Sequence, residues 1–409
     1  MTSVFLAAMS IAWNASGADV HGRGDEGVRF TCPRHQLPAI KVGMAEYLKS
    51  LAIPEAQVVV TERPADGVLI YTLATPPYDA TTLDFFTRPA MNISTDEVTL
   101  SVGPKSTSQV RTVSRQEILL ALLQHGRLTT LRGPACSVGV LSDHVALRQN
   151  IVAWAENLCW GWPNGRAAEW NEKYWSQGTP KPGIPLREAI DDAFTNQSAY
   201  AMGCYTATKL AIVKGVLDYY DRVRASPASA RLVQARLLSD HDPLSNVEPG
   251  TVWSFEPDFN PRDASRPGKL LAIVHDVSPK NFVPGDWVYF LNTDPVSRQK
   301  SGYEGSNAIY LGRDRFDDYY GENNHAFTYA EKLDEVFQWR NGVFSRIQDA
   351  SKREPIDTPH LERLSSSPKA GGLVEEWRLV PEFFEVPVRP HDLGPVSVHG
   401  ARFTGSRMP

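Results

Sequence analysis

Several features that would declare the class of this chain at once are missing. Among its 409 residues no apolar run approaches the ~18 needed to span a bilayer. The longest candidate, Val4 to Trp13, runs into Asn14 and then Ala15-Ser16-Gly17-Ala18, small residues of the kind a signal peptidase cuts beside. No Lys or Arg stands before Arg23, however, so the basic region of a secretory leader is absent. Residues 1–19 therefore read either as a cleaved leader of a secreted protein or as a disordered leader or short buried strand of a cytoplasmic one. Cysteine is scarce. Cys32, Cys136, Cys159 and Cys204 are too few for a disulfide scaffold, and none is paired as a Cys-x-x-Cys zinc ligand. In an oxidising compartment one bridge, such as Cys32 to Cys136, fits; in a reducing one all four stay thiols. A basic excess is missing too: 42 Lys and Arg face 47 Asp and Glu, net −5, which argues against a general nucleic-acid binder. The chain also lacks Gly-x-Gly-x-x-Gly, a phosphate loop, Gly-x-Ser-x-Gly and His-Glu-x-x-His.

What is present is an ordinary globular composition, 42% hydrophobic and 22% charged, long enough for two or three domains. Periodicity predicts a helix over 38–52, with Val42, Tyr47, Leu48 and Leu51 towards a core. Strands follow at 58–60 and 68–73, joined by the turn-rich 62–67 as a hairpin, and at 98–102. A helix is predicted over 113–125. Residues 20–140 thus form a small α+β domain of unknown role. Next come three helices: one within 142–160, one from Leu186, and one over 204–220 that is apolar on most sides and therefore central and buried. Strands at 270–274, 287–291 and 308–311 complete an α+β catalytic domain over 141–350. Residues 351–409 read as a Pro/Ser/Arg-rich tail with one docked apolar patch, 373–388.

Chemistry centres on Cys204. It opens the buried helix directly after Gly203, whose freedom lets the backbone turn. A thiol at a helix N-terminus meets the positive end of the dipole, which favours thiolate. The bland alternative is an inert buried cysteine. A nucleophilic Cys needs a base, and His325, beyond the strand at 308–311, is the first candidate. His275, beside Asp276, is its rival; His144 and His241 look like polar loop or cap positions. The order of a helix-borne Cys and a later sheet-borne His is that of papain-like folds. The group that orients the imidazole is sought at Glu304, Ser306 or Asn307. Strand alternation puts Glu304 and Ser306 on one face and Asn307 on the other.

Three ordered segments resemble the bacterial spore-coat transglutaminase family, a kind of protein-glutamine gamma-glutamyltransferase. They are Leu147-Arg148-Gln149-Asn150-Ile151-Val152-Ala153; Tyr200-Ala201-Met202-Gly203-Cys204-Tyr205-Thr206-Ala207-Thr208; and Gly285-Asp286-Trp287-Val288-Tyr289-Phe290-Leu291-Asn292 with Gly305-Ser306-Asn307-Ala308-Ile309-Tyr310-Leu311-Gly312. The last also looks like the Gly-Asp…Leu-Gly strand pair of NlpC/P60 cysteine hydrolases. The resemblance covers about 140–345. It implies a papain-like (NlpC/P60-like) core, a central helix packed on an antiparallel sheet, with Cys204 as nucleophile, His325 as imidazole and Glu304 as acid. The family's catalytic Glu falls at Ser306, and Glu304 stands ~6.6 Å away along the strand. The acid that precedes the family's Cys is Gly203 here. The implied reaction joins protein glutamine to protein lysine through a Cys204 thioester, with no metal or organic cofactor. Trp160, Trp162, Trp175, Trp287 and Tyr303 are candidates to line a narrow cleft that keeps water out. A cysteine amidase or peptidase of the same architecture, and a degenerate relative acting as a scaffold, are the alternatives.

Overall fold

The computed structural model describes residues 26–75, 81–103, 106–176, 178–231, 234, 271–321 and 326–381. Alternation along Gly27–Thr31 (β1) buries Val28 and Phe30. β1 pairs antiparallel with Val68–Leu73 (β3) and parallel with Leu128–Arg132 (β6). Val58–Arg63 (β2) is the other edge of this sheet, ordered β2-β3-β1-β6, and the hairpin expected of 58–73 is the β2–β3 pair. Leu37–Ser50 (α1) covers it with Leu37, Ile40, Met44 and Leu48, a helical stripe. Val42 is 60% exposed, so the core face of this helix is rotated from the one read in the sequence. Thr95–Gly103 (β4) and Ser106–Val113 (β5) form a separate antiparallel ribbon. Arg115–Leu123 (α2) follows, capped by the Ser114 hydroxyl, which accepts from the Glu117 N–H.

Val138–Ala155 (α3) is capped by Ser137 in the same way. A short pair, Trp175–Ser176 (β7) with Thr179–Pro180 (β8), precedes Leu186–Thr195 (α4) and Cys204–Asp218 (α5). Every residue of α5 from Thr206 to Asp218 is buried, Lys209 and Lys214 included. α3 and α5 pack closely because Gly215 has no side chain: a Cβ there would stand 2.6 Å from the Ile151 backbone. α5 lies against a five-stranded antiparallel sheet of Leu271–Val274 (β9), Trp287–Leu291 (β10), Gly305–Gly312 (β11), Arg315–Phe316 (β12) and Arg378–Pro381 (β13), ordered β12-β11-β10-β13-β9. Trp287, Ile309 and Leu311 join the core on the α3/α5 face. Val288, Phe290, Ala308 and Tyr310 point the other way, into a second core with Tyr329–Gln338 (α6) and Thr358–Leu364 (α7).

Two of the boundaries expected from sequence do not partition the packing. The core on the α3/α5 face runs without a break from Val28 to Leu379 and includes the N-terminal sheet. Two links reinforce it. A disulfide joins Cys32 to Cys136, with Cα atoms 5.7 Å apart. Buried Asp286 accepts from Arg127 and Arg148, both at 2.8 Å, tying the turn before β6 to the turn before β10. The residues after Ser351 do not simply trail as a tail. They build α7, and the apolar patch there supplies β13, an inner strand between β10 and β9. Leu379 is buried in it, and the buried Arg378 guanidinium stacks 4.4 Å over Phe282.

Candidate active site

Cys204 is the first residue of α5. Gly203 before it is extended, at φ −71°, and a Cβ there meets nothing within 4 Å. Glycine's freedom is therefore not what turns the chain at this point. The sulfur faces β11. It accepts from the backbone N–H of Asn307 at 3.4 Å and from its Nδ2 at 3.5 Å. Asn307 Oδ1 in turn accepts from Trp287 Nε1 at 2.9 Å, which fixes which end of the amide looks at sulfur. One turn into α5, Thr208 donates to the Cys204 carbonyl and shares a 2.7 Å hydrogen bond with Tyr319.

Burial pushes the Cys204 thiol up, against the two Asn307 hydrogen bonds, which favour the thiolate. This corrects the expectation that the helix N-terminus makes the sulfur anionic. Desolvation in the cleft outweighs the Asn307 donors, so the resting group leans to the neutral thiol.

The cavity over the sulfur encloses about 40 Å³. Trp162, Tyr303, Tyr320 and Phe344 wall it, with Trp162 edge-on to Tyr303 at 5.8 Å and tilted on Tyr320 at 5.2 Å. Asp317, Asp318, Lys332 and Glu335 supply its polar side. Asp317 is buried, and its Oδ2 has no hydrogen bond among the described residues. Burial and the adjacent Asp318 raise its carboxyl well above the usual carboxylate range.

Of the aromatics proposed to line a cleft, Trp162 and Tyr303 do so, and Trp287 acts through Asn307. Trp160 and Trp175 are core residues whose indoles donate to the Ala193 and Ala189 carbonyls.

The other residues singled out in the sequence are dispersed. Glu304 does not meet Cys204. Its carboxylate turns back to accept from the Gly302 N–H at 2.9 Å and borders a different cavity, with Tyr205, Tyr289 and Trp377. β11 begins only at Gly305, so alternation does not carry back to Glu304. Ser306 pairs with Phe290, and Asn307, on the opposite strand face, is the residue that reaches the sulfur. His275 is exposed at the end of β9, three strands from β11 and so roughly 14 Å across the sheet. His144 is buried on α3 and accepts from Arg148 Nε at 2.8 Å; burial, reinforced by Arg148, holds it neutral. His325, His241 and the leader 1–19 lie outside the described residues.

Asp317, Asp318, Lys332 and Glu335 went unnoticed in the sequence. The one local signal is the Asp317-Asp318-Tyr319-Tyr320 block, four titratable residues in a row directly after a strand. Among the described residues no group of three or more His, Cys, Asp or Glu is disposed to hold a metal ion, and no helix is long and apolar enough to cross a membrane.

The family model for protein-glutamine gamma-glutamyltransferase matches residues 134–365, more than half of the chain and all of this site. The chain belongs to the transglutaminase family. A transglutaminase of Bacillus pumilus (strain SAFR-032), a protein-glutamine gamma-glutamyltransferase, is 30% identical over 206 residues, covering 47% of this chain and 68% of that protein. Among solved structures, a transglutaminase from Geobacillus stearothermophilus (without C-terminal extension) superposes with a TM-score of 0.37 at 19% identity, over 60% of this chain and 93% of the other. Membership makes the protein an acyltransferase and disfavours the hydrolase and scaffold alternatives. The transglutaminase match begins at Pro134, so β1 to β6 lie outside it although they share its core.

Proposed function

We propose that Cys204 is the nucleophile of a two-step acyl transfer between protein glutamine and protein lysine, run on a papain-like arrangement of α5 against the β10–β11 pair. The observation that carries this reading is the Asn307 clamp: two N–H donors from one strand residue converge on the sulfur at the head of a buried helix. Donors so placed stabilise negative charge as it develops on sulfur. Sulfur attacks the carboxamide carbon, and the thiol proton leaves with the amide nitrogen as ammonia. A lysine amine then attacks the thioester, forms the isopeptide bond and returns a proton to sulfur. The sequence assigns proton handling to His325. The aromatic walls keep the thioester from water, which favours amine over hydrolysis. The protein partners are chains that present glutamine and lysine.

The test is incorporation of a fluorescent primary amine into casein. Wild-type protein labels casein, and Cys204→Ala reduces labelling to background. Labelling that survives in Cys204→Ala removes Cys204 from the reaction. Release of glutamate without amine uptake would instead make the protein a hydrolase.

A further inference from the structure

Lys332 and Glu335 stand three residues apart on α6 and both line the cavity over Cys204. Lys332 Nζ lies 2.7 Å from Glu335 Oε2 and 4.4 Å over the Phe327 ring. The lysine side chain is 5% exposed and the glutamate 21%. An ammonium so deeply buried is costly to desolvate, and packing alone is as well served by leucine or methionine at such a position. Among the described residues that line this cavity, Lys332 is the one with a positive charge.

We propose that Lys332 is the charge partner of Cys204, a positioning residue whose ammonium draws the sulfur towards thiolate, and that Glu335 restrains it by competing for that charge. This rests on Cys204 being the nucleophile. The two charges act on the sulfur in opposite senses, Lys332 favouring the thiolate and Glu335 opposing it. Among the described residues that line this cavity, every other titratable group is neutral or negative; the neighbouring cavity, which Tyr205 and Tyr289 line, is bordered by Arg298, and Lys209 lies 5.0 Å over the Tyr205 ring. Tyr205 comes from α5, Tyr289 from β10, and Tyr303 from the approach to β11. Asp317, Asp318, Tyr319 and Tyr320 come from the segment after β12. Burial holds the Tyr319 and Tyr320 phenols protonated, and Asp317 is held towards its neutral acid. None of the described groups lining this cavity besides Lys332 carries a positive charge. The arrangement makes the thiolate available without making it the resting state: Asn307 supplies the donors and Lys332 the field, both working against desolvation.

The experiment is the pH dependence of iodoacetamide alkylation of Cys204, followed by mass spectrometry on the full chain. Cys159, which is exposed and free, is replaced by Ser throughout. Lys332→Met should raise the alkylation midpoint by about one pH unit, a tenfold loss of thiolate at fixed pH. Lys332→Arg should restore the wild-type midpoint, and Glu335→Gln should lower it. The acid limb of amine incorporation should move with each. An unchanged midpoint in Lys332→Met, or shifts of the same sign in Lys332→Met and Glu335→Gln, overturns the proposal. Should Lys332→Met lose its melting transition, Glu335→Gln decides alone, and a midpoint that stays or rises refutes it. Alkylation reads the charge on sulfur rather than turnover. Its outcome is therefore separate from that of Cys204→Ala, which tests the nucleophile.

Discussion

The amide of Asn307 is held between two partners: its oxygen takes the Trp287 indole N–H at 2.9 Å and its nitrogen faces Cys204 Sγ at 3.5 Å. A donor fixed in this way adds one charge-assisted hydrogen bond to the thiolate, about 1.5–3 kcal/mol. Asn307→Ala should therefore slow amine incorporation roughly 10- to 100-fold and raise the alkylation midpoint of Cys204. Trp287→Phe keeps the amide but frees it to rotate, and should cost less. Equal rates in wild type and Asn307→Ala would leave the clamp without a role.

The Cys32–Cys136 bridge closes a loop of 104 residues around the N-terminal sheet and ends next to the Ser137 cap of α3. Replacing both cysteines by serine should lower unfolding stability by ~2–5 kcal/mol, read by urea denaturation under non-reducing conditions. Cys204 is not part of the bridge, so the variant should still turn over while folded.

Asp286 is fully buried and receives Arg127, Arg148 and the Val283 N–H. Burial alone raises its carboxyl, but the two guanidiniums overcome this and hold it below the usual range. Asp286→Ala leaves two buried cations facing each other and should cost about 3–5 kcal/mol. The sign of its pH dependence follows from the depressed value. The contribution is complete above the unfolded carboxylate range and is lost as pH falls through the lower, folded one. Acid unfolding should thus begin at higher pH in any variant that removes Arg127.

Glu117 behaves in the opposite way. Burial raises its carboxyl to about 7 although it accepts from the Arg313 N–H at 2.7 Å. The folded state favours the protonated acid, so stability falls as pH rises from the unfolded value near 4.5 to about 7. The loss is on the order of 3 kcal/mol. Glu117→Gln should match wild type near pH 5 and exceed it near pH 8 in urea denaturation. A variant no more stable at pH 8 contradicts the assignment.

β13 lies between β10 and β9, so the chain beyond Ser351 is required for the sheet. Leu379→Asp buries an unpaired charge opposite Trp287 and should cost at least ~3 kcal/mol. A chain ending before Arg378 should be recovered insoluble or unfolded; a soluble, active truncation would show the strand to be dispensable.

Elements whose apolar pattern is strong are legible from the residues alone. These are the hairpin at 58–73, the buried helix that Cys204 opens, the strands at 287–291 and 308–311, and the family, through three ordered segments around one cysteine. Local pattern suffices there because burial imposes a period on each element separately. The sequence names Asn307 beside Ser306 and Glu304 as a partner for the imidazole and favours Glu304, whereas Asn307 is the residue that reaches the sulfur. The choice turns on which face of β11 looks at α5, and that depends on where the strand begins. The remainder was decided by tertiary structure. Residues 378–381 lack a strong strand signal and become an inner strand by pairing with β10 on one side and β9 on the other. The N-terminal region joins the catalytic core through a disulfide and through Arg127–Asp286, pairs that no short-range pattern brings together. The thiol is pushed up because burial, a property of the whole fold, outweighs the donors that face the sulfur. Lys332 and Glu335, far along the chain from Cys204, come to the same cavity only when α6 packs beneath the sheet.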